Sequence, residues 1–233
     1  MGDILTDSAG RRAILKAAMA VPLIGLGGEA SARAQRVAAL GAASGARIDP
    51  SAVQVLFADL QPSLVKDSRT VLPDALGRSA GVLARVAQIL QLPTLFSIVP
   101  EGNSTPALIP ELKPFGTASN TLLRRMAGPF MDLPTTAALA RTGRKTLVIA
   151  GYAAEVVVVQ AVVDAVVAGY TVHYVVDAIG SKSARTEDAA FREMELAGAL
   201  PTSVLSLTTR LTPDFFHAPG SETFAALQVL LRS

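Results

Sequence analysis

The sequence predicts a three-layer α/β/α domain around a mainly parallel, doubly wound sheet. Three observations lead there. First, 233 residues that are 50% hydrophobic and 17% charged suffice for one large α/β domain with a buried sheet. Second, apolar runs of strand length alternate with stretches of helical length. Third, "GYAAEVVVVQAVVDAVVAGYTVHYVVDA" (151–178) leaves a strand, turns on glycine, enters a very apolar helix and returns as a strand.

The elements follow in order. "VQVLFADL" (53–60) is the first strand, a helix is expected near 72–91, and "PTLFSIV" (93–99) is the second strand. "EGNSTPALIPELKPFGTASN" (101–120), with its prolines, glycines and small polar residues, is expected to be a long excursion and not a packed element. A helix near 134–142 precedes the strand "TLVIAG" (146–151). The helix at 155–168 is apolar around most of its circumference, so it is buried on several sides. The strand "TVHYVVDAI" (171–179), a helix near 186–198, the strand "TSVLSLT" (202–208) and a helix at 221–232 complete the domain. No internal repeat or low-complexity tract interrupts it.

Residues 1–34 do not read as part of this domain. "GRRAILKAAMAVPLIGLGGEASARAQ" pairs Arg11 with Arg12, continues into a weakly apolar run and ends in small residues. It resembles a bacterial twin-arginine export signal, whose apolar region is too short to span a bilayer. Two A-x-A sites fit cleavage, Ala30-Ser31-Ala32 and Ala32-Arg33-Ala34. The alternative is an ordinary amphipathic N-terminal helix, against which Pro22 and the glycines of "GLGG" count. The expected organisation is an export signal at 1–34 and a folded domain at 35–233, in the periplasm and without a stable membrane anchor after cleavage.

Composition excludes several functions. The chain has no cysteine, so it has no disulfide, no zinc–thiolate site and no cysteine nucleophile. A formal net charge of +2, with scattered basic residues, argues against a nucleic-acid partner. His173, within a strand, and His217, near the end, do not make a converging metal site, and both read as structural. "IGLGG" has no strand before it and is not a dinucleotide fingerprint. No cofactor is expected.

In a doubly wound sheet the site lies beyond the carboxyl ends of the strands, where strand order reverses. The first strand ends in "FADLQ", which puts Asp59 and Gln61 on one side of an extended segment. Asp59 is costly to desolvate there unless it is paired or functional, and a capping or turn role is the competing reading. "TLVIAG" then delivers Gly151 to Ala154 into a helix beginning near Glu155. Unpaired N–H groups in the first turn of that helix can hold an oxyanion or a carboxylate. A nucleophile at Val157 would sit in this field, but valine has no reactive atom.

Together, "FADLQ", "TGRKTLVIAGYAAEVVVVQAVVDAVVAGYTVHYVVDAIGSKS" and "EDAAFREMELAGA" resemble the isochorismatase-like cysteine hydrolase superfamily, especially its small bacterial hydrolases of unassigned substrate. The resemblance covers about residues 50 to 215. It implies a Rossmann-like sheet and a triad of an aspartate ending the first strand, a basic residue, usually lysine, and a cysteine in the "G-x-x-T-[DE]-x-C-V" turn. Here "GYAAEVVV" puts Gly151 on the glycine, Ala154 on the threonine, Glu155 on the acid and Val157 on the cysteine. Asp59 falls on the aspartate and Gln61 on the glutamine two residues later. The basic position falls on Arg124 or Arg125, with Lys113 a weaker candidate in the proline-rich excursion. Arginine supplies positive charge but cannot shuttle protons as a desolvated lysine can. The implied ligand-contacting set is Gln61, Ala153, Ala154, Glu155 and Val156.

Without the cysteine, the covalent route is closed. Family members that cleave vinyl ethers use the aspartate as a proton donor, and Asp59 is the acid/base that such cysteine-independent hydrolysis of a small molecule would need. The alternative is a catalytically inactive member, a periplasmic ligand-binding or scaffold protein. The apolar 155–168 helix and the C-terminal "FAALQVLL" carry more apolar surface than one sheet face needs, which predicts a homo-oligomer.

Overall fold

The computed structural model describes residues 47–102 and 106–232; the expected export signal lies outside them. Among the described residues, six strands form one wholly parallel sheet: β1 (Val53–Ala58), β2 (Thr94–Ile98), β3 (Thr121–Leu123), β4 (Thr146–Tyr152), β5 (Thr171–Gly180) and β6 (Leu200–Thr202). Their spatial order is β3-β2-β1-β4-β5-β6. The chain winds outward from β1 through β2 to β3, then returns to place β4 on the other side of β1. Strand order therefore reverses between β1 and β4, which opens the crevice where ligands sit in such sheets.

Period-two alternation assigns each strand residue to a face. Val53, Val55 and Phe57 of β1, with Val148, Ala150 and Tyr152 of β4, pack under α2 (Pro73–Ile89), α6 (Val204–Leu211) and α7 (Gly220–Leu231). Leu56, Ala58, Leu147 and Ile149 face α3 (Leu133–Arg141), α4 (Val159–Val167) and α5 (Ala184–Ala197). This is the expected three-layer α/β/α arrangement. A one-turn helix, α1 (Pro62–Val65), follows β1 directly.

Three expectations need correction. The run 202–208 is not a strand: β6 ends at Thr202, and Ser203 caps α6, its Oγ accepting the Ser206 N–H at 3.1 Å. Val204, Leu207 and Leu211 recur at helical and not alternating spacing, and all three are buried. Next, the 101–120 excursion has a packed part: Leu108, Ile109 and Leu112 are buried, and Ile109 donates its N–H to the Leu60 carbonyl at 2.9 Å. Finally, the helix expected from 155 opens with a π-helical turn, Ala154–Val158, before α4 begins at Val159. The N–H groups of Val156 and Val158 both donate to the Ala153 carbonyl, so neither is available for an anion.

Candidate functional site

The ends of β1 and β4 meet at the switch point, and glycine makes their approach feasible. A Cβ on Gly151 would stand 2.5 Å from the Ala58 carbonyl oxygen. Asp59 follows immediately, with φ of 56°, a left-handed conformation uncommon outside glycine but tolerated best by Asp and Asn. Its N–H donates to the Ser97 carbonyl at 2.9 Å, so the turn is anchored to β2.

Arg124 lies just past β3 and is 1% exposed. Its Nη1 and Nη2 donate to Oδ1 and Oδ2 of Asp59, both at 2.6 Å. Nη1 also donates to the Ser97 hydroxyl at 3.1 Å, Nη2 to the Ala127 carbonyl at 3.2 Å and Nε to the Met126 carbonyl at 3.0 Å. Five contacts match the five donors of a guanidinium, so Arg124 is saturated. Burial pushes the Asp59 carboxyl above the usual carboxylate range, while the hydrogen bonds and charge of Arg124 pull the other way.

Of the basic residues singled out from sequence, Arg124 alone is joined to Asp59. Arg125 is exposed beside it, and Lys113 is exposed on a short 3-10 turn, Lys113–Phe115. Val157 is fully buried in the core under α4 and α5, as is Ala154, and Ala153 is 8% exposed. Val156, the adjacent residue, is 49% exposed. Gln61 is buried as a strut: its Nε2 donates to the Val99 carbonyl at 2.9 Å and to Glu101 at 2.6 Å, and its Oε1 accepts the Val99 N–H at 2.8 Å. Glu155 accepts hydrogen bonds from the Ser181 and Thr186 hydroxyls, at 2.7 and 3.2 Å, and so ties the π turn to the start of α5.

Ser97 was missed from sequence. A lone serine inside "TLFSIV" is the signal that could have found it, because a buried hydroxyl in an apolar strand needs a partner. Tyr152 was also missed; its hydroxyl is buried without a partner among the described residues, and burial raises its pKa with Asp67 and Glu155 adding to the effect. Asp177 holds the start of α6, its Oδ1 accepting the Val204 N–H at 2.9 Å. His173 is buried in β5, and His217 is exposed and bonded to Asp214 through Nδ1 at 2.7 Å.

The comparisons agree with this architecture. The isochorismatase domain model matches residues 55–205, which include Asp59, Arg124 and the Gly151–Val157 turn. The probable hydrolase YcaC of Escherichia coli is 29% identical over 154 residues, 66% of this chain and 74% of that protein. A structure of Pseudomonas aeruginosa YcaC, with hexane-2,5-diol and covalent acrylamide, superposes with a TM-score of 0.74 at 29% identity, covering 80% of this chain and 92% of that one. The E. coli YcaC structure, described as an octameric hydrolase of unknown specificity, gives 0.71 at 27% identity over 79% of this chain and 89% of its own. A family match across most of the described residues, on a sheet whose switch point lies between Asp59 and the Gly151 turn, establishes that the chain belongs to the isochorismatase family.

Proposed function

We propose that this chain is a non-hydrolysing member of the isochorismatase family, an exported, homo-oligomeric binding protein that keeps the fold of the hydrolases without their turnover. The observation that carries the reading is the Asp59–Arg124 pair. Each carboxylate oxygen accepts a hydrogen bond from Arg124, the remaining guanidinium donors are spent on Ser97, Met126 and Ala127, and Asp59 is only 7% exposed. A general acid or base must reach its substrate, and this one is held by a partner that does not shuttle protons. Val157, which the resemblance aligns with the nucleophile, is buried. Support for assembly comes from the octameric E. coli relative and from large apolar side chains left exposed, among them Leu133, Val167 and Leu196. Arg11-Arg12 and the A-x-A sites support export to the periplasm by the twin-arginine route.

A second reading rests on the raised pKa of Asp59, since a protonated carboxyl is what cysteine-independent cleavage of a vinyl ether requires. Wild type and Asp59→Asn, assayed against amide, ester and vinyl-ether panels, separate the two. The expected result is no turnover above buffer in either protein. Wild-type turnover that disappears in Asp59→Asn establishes the second reading, and turnover that survives the substitution overturns both.

A further inference from the structure

At the opposite end of the sheet from Asp59, a cleft of about 320 Å³ opens between the starts of β1 and β2, the last turn of α3 and the loop leading into β3. Its walls include Gln54, Leu95, Asn120, Leu139 and Arg141. Gln54 and Asp59 are five residues apart along an extended segment, roughly 16 Å, so this cleft is separate from the switch-point site.

Gln54 gives the cleft its chemistry. It is 1% exposed in an otherwise apolar strand. Its Nε2 donates to the carbonyls of Leu139 at 3.3 Å and of Arg144 at 2.9 Å. Both partners are acceptors only, so the amide nitrogen must face them and both of its hydrogens are used. The amide oxygen is thereby turned away, and among the described residues no donor reaches it. That oxygen is not among the buried atoms left without a partner, so it is open to water on the cleft side, and a ligand that brings an N–H or O–H to it can take the place of that water.

Arg141 supplies the second element. It lies on the rim in the last turn of α3 and makes no ion pair or hydrogen bond with the described residues. Arg144, the other nearby guanidinium, is committed to the Pro50 and Val53 carbonyls at 2.8 and 2.7 Å. Between Gln54 and Arg141 the wall is mixed, apolar at Pro93, Leu95, Ala138 and Leu139 and polar at Thr94, Ser119, Asn120 and Thr142. A volume at the lower end of the ligand-site range, a wall with an apolar part, one oriented acceptor and one cation without a partner among the described residues describe a site for a compact molecule.

We infer that this cleft binds a small carboxylate that also carries an N–H or O–H donor, an acylated amino acid or a hydroxy acid, with the donor on the Gln54 amide oxygen and the carboxylate on Arg141. Nothing in this inference requires Asp59 to be inert, so it stands or falls apart from the non-hydrolysing reading.

The probes are N-acetylglycine, which has the carboxylate and an amide N–H, and N-acetylsarcosine, which replaces that N–H by a methyl group. Titrated into the wild-type protein and followed by amide NMR shifts, N-acetylglycine is expected to perturb Gln54, Asn120 and the 139–142 segment at millimolar concentration. N-acetylsarcosine is expected to bind about tenfold more weakly, because the Gln54 oxygen stays unpaired. Arg141→Gln, a surface change that leaves the fold intact, should weaken N-acetylglycine by about fivefold or more. Asp59→Asn should leave both affinities unchanged wherever it remains folded by its amide spectrum. Equal affinity for the two probes, no perturbation at millimolar concentration, insensitivity to Arg141→Gln, or shifts centred on the Asp59 end of the sheet would each overturn the assignment.

Discussion

Arg124 holds Asp59 through two parallel hydrogen bonds of 2.6 Å, in a pair whose side chains are 1% and 9% exposed. The two residues are 65 positions apart in sequence and follow the carboxyl ends of β1 and β3, the strands on either side of β2. Viewed from the sequence alone, an acid ending an apolar strand is a burden whose neutralisation should leave stability unchanged or raised. The pair reverses that expectation. Removing one member leaves the other buried and uncompensated, which costs about 3–5 kcal/mol in proteins generally.

A double-mutant cycle tests this. Asp59→Asn, which suits the left-handed backbone at this position, and Arg124→Met are each expected to lower the unfolding free energy by about 3 kcal/mol or more. The double variant should lose about 1–3 kcal/mol less than their sum, because the two changes remove one interaction. Urea unfolding gives all four values. Additive losses would mean that the contact is not an energetic unit, and the structural role assigned to the pair would be withdrawn.

Adjacent valines give a second test, on the turn that the resemblance aligns with the family's cysteine. Val156 is 49% exposed and Val157 is 0% exposed. Val156→Cys should react with a small alkylating agent as a surface thiol does. Val157→Cys should react at least about a hundredfold more slowly, because its sulfur becomes accessible only when the segment opens. The Val157→Cys change should itself cost about 1 kcal/mol through lost packing volume. Mass spectrometry over time reads both rates. Comparable rates would show that the turn opens readily to solvent and that a reactive pocket survives around Val157.

The sheet was legible in the sequence where strands are long. β1, β2, β4 and β5 are apolar runs of five to ten residues, and burial on both faces makes such runs unmistakable. β3 was not legible: it has three residues at the sheet edge, none fully buried, so composition marks nothing there. The 202–208 segment misled because Val, Leu and Thr favour strands. Its capping serine and the spacing of its buried residues carried the contrary signal. In the excursion, Leu108, Ile109 and Leu112 sit among prolines and glycines, and only their contacts with the domain reveal them as core. At the candidate site, the resemblance points to Asp59 and the turn at Gly151, which the sheet brings together at the adjacent ends of β1 and β4. Which basic residue reaches Asp59 depends on the register of β2 against β3, Phe96 to Thr121 through Ile98 to Leu123, which carries Arg124 one residue beyond the strand. Sequence spacing does not encode that.

His173 supplies the last prediction, on acid stability. It lies in β5 between Val148 of β4 and Leu200 of β6, it is 3% exposed, and its Nδ1 has no partner among the described residues. Burial, followed by the charge of Arg210, lowers its pKa to about 4, against 6.5 for an unperturbed imidazole. The folded protein thus binds this proton less readily than the unfolded chain does. The stability associated with neutral His173 is fully present above the unfolded value and is lost as pH falls from about 6.5 towards about 4, up to about 3 kcal/mol if the whole shift is realised. His173→Met keeps an apolar side chain of similar reach and removes the titration. At neutral pH the variant should lie within about 1 kcal/mol of wild type, because Nδ1, one of the two ring nitrogens it deletes, has no bond to lose among the described residues. Between about pH 7 and pH 4.5 the wild-type thermal midpoint should fall clearly more steeply than that of the variant, whose remaining slope reports the other groups. Parallel slopes would mean that His173 gains a proton as easily folded as unfolded, which would place water or a hydrogen-bond acceptor beside a nitrogen that has none among the described residues.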